Sequence, residues 1–334
     1  MPDPPAGNHL GCVAPDTARS AGGRASSLTW RIAISDGLAE EGQARLRNEA
    51  EIVSDPELAA LGSIDGWIVR SRTRVTDSTL KSASPRLKVV GRAGVGVDNI
   101  DLEAARRRGV IVVNSPLAAT QAVAELALGL MFALARHIPQ ANAAVHRGEW
   151  PKSSLSGGEL AGKALGLVGV GRIGAALAGR AGSIGMRVLG YDPLITGEAI
   201  RVAGAEPMSF DQVLAESDYL SLHVPLTPET RNLIGPRELQ KTKPGVRLIS
   251  TARGGVVDED ALARALASGH VSGAALDVFD HEPPGDSPLL RDERVIATPH
   301  LGAQTAEAQT RASLDIVDEV LAALAGLPLR WRVA

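Results

Sequence analysis

The chain has almost no cysteine. Cys12 is the single one, so an intrachain disulfide is excluded, and its neighbourhood offers no metal-ligand spacing. An excess of charge of either sign is also missing. The formal net charge is -3, which argues against a nucleic-acid or membrane surface as partner. No apolar run reaches the ~18 residues of a membrane-spanning helix. The first residues lack the basic-then-apolar order of a secretory signal. No H-x-x-x-H pair or carboxylate cluster suggests a metal, and no internal repeat is evident. What remains is the composition of a cytoplasmic protein. Its 334 residues, 44% of them apolar, can fill roughly two domains of about 150 residues each.

Residues 1–29, rich in Pro, Gly, Ala and Ser, show neither helical nor strand period and read as a disordered leader holding Cys12. From Trp30 onward short apolar runs alternate with helix-like segments. The strand candidates are "RIAIS" (31–35), "GWIVRS" (66–71), "LKVVGRA" (87–93) and "VIVVN" (110–114). Between them, "DLEAARRRG" puts acid in its first turn and base in its last, as the helix dipole favours. This alternation predicts a parallel sheet covered by helices. A Pro/Gly/Ser stretch at 151–158 precedes a second series, with strands expected at "ALGLVG", "RVLGYD", "YLSLHVP", "VRLIST", "GAALDVF" and "RVIATP". Six strands separated by helices match a doubly wound nucleotide-binding domain. The segment 120–138, "TQAVAELALGLMFALARHI", is apolar on most faces and predicts a buried helix, linking the domains, in a homodimer interface or in a core. The last segment, "TAEAQTRASLDIVDEVLAALAG", reads as one amphipathic helix that packs back on the first domain.

Gly169, Gly171 and Gly174 form G-x-G-x-x-G between an apolar strand and a helix. The first glycine permits the tight turn, the second lets a pyrophosphate approach, and the third allows close helix–strand packing. The helix N-terminus then offers free N–H groups to phosphate. Asp192 follows Gly174 by 18 residues, close to the spacing of about 20 at which an acid meets the adenosine ribose. A carboxylate there repels a 2′-phosphate, so the predicted cofactor is NAD rather than NADP.

Three polar residues each lie just past an expected strand: Arg253 in "LISTARGG", Glu282 in "DVFDHEPP" and His300 in "ATPHLGAQ". Ligands of open α/β sheets bind at the carboxyl ends of the strands. The three types suit reduction of a 2-keto acid. Arginine grips a carboxylate through paired N–H bonds, histidine gives a proton to the carbonyl oxygen, and glutamate orients the imidazole and favours its charged form. His281 could compete as the base, but its Pro-flanked loop predicts exposure. His223, at a strand end, reads as structural or as lining the adenosine side.

These strings together resemble the D-isomer-specific 2-hydroxyacid dehydrogenases, most closely their 3-phosphoglycerate dehydrogenase branch. The resemblance is carried by "IVRSRTRVT", "VVGRAGVGVDNIDLEAARRRGV", "GKALGLVGVGRIG", "ARGGVVDEDAL", "GAALDVFDHEPP" and "TPHLGAQTAEAQ". It implies two doubly wound parallel-sheet α/β domains, a Rossmann NAD-binding domain (113–301) inserted into a flavodoxin-like substrate-binding domain (31–112 plus 302–334), with the active site between them. It implies Arg253, Glu282 and His300 as the catalytic trio. It also implies NAD contacts from Arg172 and Ile173 at the pyrophosphate, Asp192 at the ribose, and Val224, Thr251, Ala252, Arg253, Asp277, His300, Gly302 and Ala303 around the rest. Backbone N–H groups at Gly94 and Val95 are expected at the substrate carboxylate, and Arg70, Ser71 and Arg72 at a substrate phosphate.

Some positions depart from the family pattern. Val95 stands where threonine is frequent, Ser250 where asparagine is usual and Gln304 where serine is usual, and "NSPLAATQAVAE" replaces a common Gly-Asn segment. The expected partner is a small anionic 2-hydroxy or 2-keto acid, and the leading reading is 3-phosphoglycerate dehydrogenase-like. A reductase of another keto acid or phosphonate analogue, and an NADH-sensing corepressor-like binding protein, are the alternatives.

Overall fold

The computed structural model describes residues 30–334, so the expected leader and Cys12 lie outside the described residues. The chain builds two parallel-sheet α/β domains. The first sheet has five strands, β1 (Trp30–Ile34), β2 (Ala50–Ser54), β3 (Gly66–Val69), β4 (Val89–Arg92) and β5 (Ile111–Asn114), in the order β2-β1-β3-β4-β5. The second has seven, β6 (Ala164–Val168), β7 (Arg187–Tyr191), β8 (Glu206–Pro207), β9 (Tyr219–Leu222), β10 (Val246–Ser250), β11 (Val271–Leu276) and β12 (Val295–Ala297), in the order β12-β11-β10-β9-β6-β7-β8. All of these strand pairs are parallel. Each order reverses once, between β1 and β3 and between β6 and β9, and such switch points open a crevice at the carboxyl ends of the strands.

Helices cover both sheets. In chain order they are α1 (Glu40–Arg47), α2 (Asp77–Ala83), α3 (Leu102–Arg107), α4 (Thr120–Arg136), α5 (Ile138–His146), α6 (Arg172–Ser183), α7 (Gly197–Val202), α8 (Phe210–Glu216), α9 (Pro236–Lys241), α10 (Glu259–Ala267) and α11 (Ala306–Leu324). Local chemistry starts many of them. Thr76, Asp101, Asp258 and Thr305 each accept a hydrogen bond from the backbone N–H three residues on, supplying a partner that the first helical turn lacks. β6 is buried along its whole length because helices lie on both faces, which is why "ALGLV" is a continuous apolar run rather than an alternating one.

The expected helix over 120–138 ends earlier. His137 takes a left-handed conformation (φ 51°) and its N–H closes on the Ala133 carbonyl. The chain then bends by 64° into α5, with Pro139 in its first turn, where a missing N–H costs nothing. The apolar face of α4 packs mainly on α6, β10 and β11 of its own chain.

α11 returns to the five-stranded sheet. Val320 and Ile316 lie where a Cβ on Gly91 of β4 would sit, at 2.5 and 2.9 Å, so glycine is required for helix and strand to approach this closely. Beyond α11 the chain pairs antiparallel with β5: Val333 N–H bonds the Val112 carbonyl at 2.7 Å and Asn114 N–H bonds the Trp331 carbonyl at 3.2 Å. Glu319, almost fully buried in α11, accepts from the N–H groups of Arg330 and Trp331 (both 3.0 Å) and from Arg330 Nε (2.8 Å). The expected domain boundary at 112/113 falls inside β5. The strand is paired to β4 through Asn114, and the chain leaves the first sheet only after it. The crossing is tied to α11, since Ser115 Oγ donates to the Ala312 carbonyl and Arg311 donates twice to the Ala118 carbonyl.

Candidate active site

The glycine turn between β6 and α6 is shaped by backbone on one side and open on the other. Gly169 has φ 91°, and a Cβ there would lie 2.5 Å from the His223 carbonyl oxygen. A Cβ on Gly174 would lie 2.3 Å from the Gly169 carbonyl oxygen. A Cβ on Gly171 would meet nothing within 4 Å. The turn is therefore closed beneath and empty above, the cradle a dinucleotide pyrophosphate needs. Asp192, just past β7, accepts from Val170 N–H (3.0 Å) and from Leu194 N–H (2.9 Å). These two bonds fix its carboxylate at the rim of the cradle. Arg172 is exposed at the start of α6, whereas the half-buried Ile173 side chain packs against the core. Val224 lies beside Gly169.

Arg253, Glu282 and His300 follow β10, β11 and β12, three neighbouring strands. His300 Nδ1 and Glu282 Oε2 are 2.8 Å apart, which leaves Nε2 for a substrate. Glu282 Oε1 accepts from Phe279 N–H at 3.2 Å. Burial raises the Glu282 pKa, but the bonds from His300 and Phe279 N–H and the nearby charge of Arg253 outweigh it, and the carboxyl lies below its usual range. His300 itself is held in a left-handed conformation (φ 53°). The turn that carries it is built on Asp277, a buried carboxylate that accepts from Thr298 Oγ1 (2.6 Å), Leu301 N–H (2.7 Å) and Gly302 N–H (2.8 Å). Asp277, expected to line the cofactor, thus also shapes the His300–Ala303 turn expected there with it. Thr251 and Ala252 are buried at the end of β10, and the Oγ1 of Thr251, like the Oγ of Ser250, is buried without a protein partner.

The five-stranded domain brings a second group of residues to the same cleft. Arg253 Nε donates to Asp98 Oδ2 at 3.0 Å, and Nη1 donates to the Ala252 carbonyl at 2.6 Å. A Cβ on Gly96 would lie 2.1 Å from Arg253 Nη2, and one on Gly94 would lie 1.5 Å from Arg92 Nη1. Two guanidinium groups thus lie directly against the Gly94–Gly96 turn. Of the two backbone donors expected for a substrate carboxylate, that of Gly94 is already bonded to the Arg92 carbonyl (2.8 Å). Val95 N–H is without a partner among the described residues. Its carbonyl accepts from Asn114 Nδ2 at 2.7 Å.

Arg92 was not among the residues expected at the site. It ends β4, and in the string "VVGRAG" it reads as the polar end of a strand. Burial pushes its pKa down to about 10, and the nearby charges of Arg253 and Arg70 push in the same direction. Arg70 is also lowered, by burial first and by Arg72. Its Nη2 donates to Gln304 Oε1 at 3.4 Å. Ser71 and Arg72 are exposed beside it. His281 is 92% exposed at its side chain, apart from this group. His223 has Nε2 2.9 Å from Ser221 Oγ and a buried Nδ1 without a partner, and burial brings its pKa down to about 4, so the ring is neutral beneath the glycine turn.

The family model described as "D-isomer specific 2-hydroxyacid dehydrogenase, NAD binding domain" matches residues 128–302, more than half of the chain. The chain belongs to the D-isomer specific 2-hydroxyacid dehydrogenase family. Its seven-stranded domain is the family's NAD-binding domain, and the cradle around Gly171 fits that cofactor. The chain is 48% identical to the D-3-phosphoglycerate dehydrogenase of Mycobacterium leprae over 301 residues, 88% of this chain and 57% of that protein. It is 45% identical to the Bacillus subtilis D-3-phosphoglycerate dehydrogenase over 90% of this chain and 58% of that protein. The chain thus spans little more than half the length of these relatives. Among solved structures of the family's fold, a glyoxylate reductase from Paecilomyes thermophila superposes with a TM-score of 0.82 at 30% identity, covering 91% of this chain and 98% of that one. D-lactate dehydrogenase from Aquifex aeolicus, complexed with NAD and lactic acid, gives 0.79 at 31% identity, covering 88% and 96%.

Proposed function

We propose that this member of the D-isomer specific 2-hydroxyacid dehydrogenases is an NAD-dependent oxidoreductase whose substrate carries a second anionic group distal to its carboxylate. The observation that carries the reading is the convergence of Arg70, Arg92 and Arg253 on one cleft beside the His300–Glu282 pair. Burial lowers the pKa of both Arg92 and Arg70; the charges of Arg253 and Arg70 lower Arg92 further, and that of Arg72 lowers Arg70 against the pull of Asp36. A ligand with two anionic ends relieves that repulsion at both places. D-3-phosphoglycerate, with phosphohydroxypyruvate as its keto form, has this shape, and the mycobacterial and Bacillus relatives bear that substrate in their names.

In the proposed reduction, Arg253 Nη2 and Val95 N–H hold the substrate carboxylate. His300 Nε2 gives its proton to the carbonyl oxygen, and the Glu282 carboxylate stabilises the imidazolium before transfer. NADH, when bound, supplies the hydride that reaches the carbonyl carbon, so C=O, one hydride and one proton become CH–OH. Oxidation runs the same steps in reverse, with His300 accepting the hydroxyl proton. Asp192 favours NAD over NADP because its fixed carboxylate opposes a 2′-phosphate. In this reading the five-stranded domain with α11 binds the substrate, and the protein is a homodimer working in the cytoplasm. Phe132, Ile138 and Val145, exposed along α4 and α5, are the apolar surface that supports the dimer.

The test is NADH oxidation across a panel of keto acids, with wild type and Arg70→Ala. Phosphohydroxypyruvate, or a phosphonate or dicarboxylate analogue, should surpass pyruvate and glyoxylate, and Arg70→Ala should raise KM for the best substrate. If neutral-tailed keto acids win, or Arg70→Ala has no effect on the best substrate, the distal-anion reading fails.

A further inference from the structure

The segment Arg70–Thr73 leaves β3 with no helix or strand to hold it, yet its backbone is fixed from two sides. On one side Asp36 accepts from Arg70 N–H (3.1 Å), Thr73 N–H (3.0 Å) and Thr73 Oγ1 (2.8 Å). The Arg72 guanidinium lies 3.7 Å from the same carboxylate, whose side chain is only 8% exposed. On the other side Asn99 donates both Nδ2 hydrogens, to the carbonyls of Arg70 (2.8 Å) and Thr73 (2.7 Å). Neither residue adjoins the loop in sequence. Asp36 follows β1, and Asn99 lies in the turn before α3.

We infer that Asp36 and Asn99 are positioning residues that clamp the Arg70–Thr73 loop and thereby make it a preformed subsite for the substrate's distal anion. The inference rests on the distal-anion reading above. Its physical basis is pre-organisation. An unclamped loop would have to be ordered when the anion arrives, and that entropy cost would subtract from affinity. Each clamp uses the one chemistry that fits. Two backbone N–H groups and a hydroxyl need an acceptor-only carboxylate, and two carbonyls need an amide with two hydrogens on one nitrogen. Asp36 adopts a left-handed conformation (φ 72°), a strained state for a residue with a Cβ that persists where surrounding bonds over-determine it. Asp98, next in sequence to Asn99, bonds Arg253 Nε instead. Separate side chains of one dipeptide thus serve the two ends of the substrate, and Asn99 touches the distal loop alone.

The experiment compares phosphohydroxypyruvate with hydroxypyruvate, which lacks the phosphate, in wild type, Asp36→Asn, Asn99→Asp and Arg70→Ala, with thermal melting of each. Asp36→Asn and Asn99→Asp keep side-chain size and reverse one donor–acceptor match. Each should raise KM for phosphohydroxypyruvate about tenfold, the scale of one charge-assisted hydrogen bond, while kcat with that substrate and kcat/KM for hydroxypyruvate stay near wild type. A general loss of structure would lower activity on both substrates together, and that outcome overturns the clamp, as does an unchanged ratio of KM values. If only one variant folds, the other side of the clamp decides; if neither folds, the two residues are structural and the proposal falls. A wild type indifferent to the phosphate, with Arg70→Ala silent, would instead remove the distal-anion reading and the clamp with it. A phosphate preference lost in Arg70→Ala but kept in both clamp variants removes the clamp alone.

Discussion

Glu282 is bonded to His300 and to a backbone N–H, and it lies within reach of the Arg253 charge. Its lowered pKa keeps it a carboxylate through the neutral range, so it attracts the protonated form of the imidazole. Glu282→Gln keeps the shape and removes that charge. Reduction requires the protonated ring, so kcat for reduction should fall in this variant while NADH binding stays near wild type. His300→Ala should slow turnover through kcat by about 10²–10⁴-fold, or about 3–5 kcal/mol of barrier. A His300→Ala enzyme with near-normal kcat, or a Glu282→Gln enzyme with wild-type kcat, would contradict this assignment. The sequence singled out Arg253, Glu282 and His300 as polar residues just after expected strands, although Glu282 shares its loop with Asp280 and His281; the structure joins Glu282 to His300. Arg92, Asp98, Asp36 and Asn99 were not singled out. Their relevance comes from contacts across the fold, and no local string distinguishes Arg92 from an ordinary strand-end cation.

At the scale of elements, the glycine turn separates two effects that mutation usually mixes. Gly174→Ala puts a methyl 2.3 Å from backbone oxygen, so the β6–α6 junction must shift, at about 1–3 kcal/mol of stability. Gly171→Ala adds a methyl on the open side, at φ −70°, a conformation alanine adopts freely. Thermal melting should fall for Gly174→Ala and stay unchanged for Gly171→Ala, whereas fluorescence titration should show weaker NADH binding for Gly171→Ala. Equal melting losses would mean that the turn is not open above. Long apolar runs such as β6 were easy to read from sequence. β2 was missed because "AEIVS" continues from a helical string, and β8 because two residues carry no period. The break after α4 had a signal in Pro139, which fixes the backbone near the start of a helix rather than near its end.

For the molecule as a whole, the apolar character of α4 is largely accounted for by its own domain, where most of its aliphatic side chains are buried. What remains for a partner is smaller than the sequence suggested: Phe132 on α4 and Ile138 and Val145 on α5, with Trp150 79% exposed just beyond. Light scattering at micromolar concentration should give about twice the 34.7 kDa chain mass, and Val145→Glu should shift it toward one chain. A monomeric wild type would contradict the dimer. The two-sheet organisation was visible in the strand–helix alternation, but the crossing was expected within "VIVVN", two residues before the Asn114-Ser115-Pro116 turn that ends β5.

The pairing of residues 331–334 with β5 bears on the order in which the molecule can be completed. All seven strands of the NAD-binding sheet lie in one uninterrupted stretch, finished at Ala297. The other sheet is begun first, at Trp30, yet it lacks its covering helix until Leu324 and its antiparallel edge until Val333. During synthesis, the later sheet has all its strands while the earlier one still exposes the face that Val320 and Ile316 will cover. Contacts of such long sequence separation form late. Of the two sheets, the one begun earlier in the chain is therefore the one that must wait.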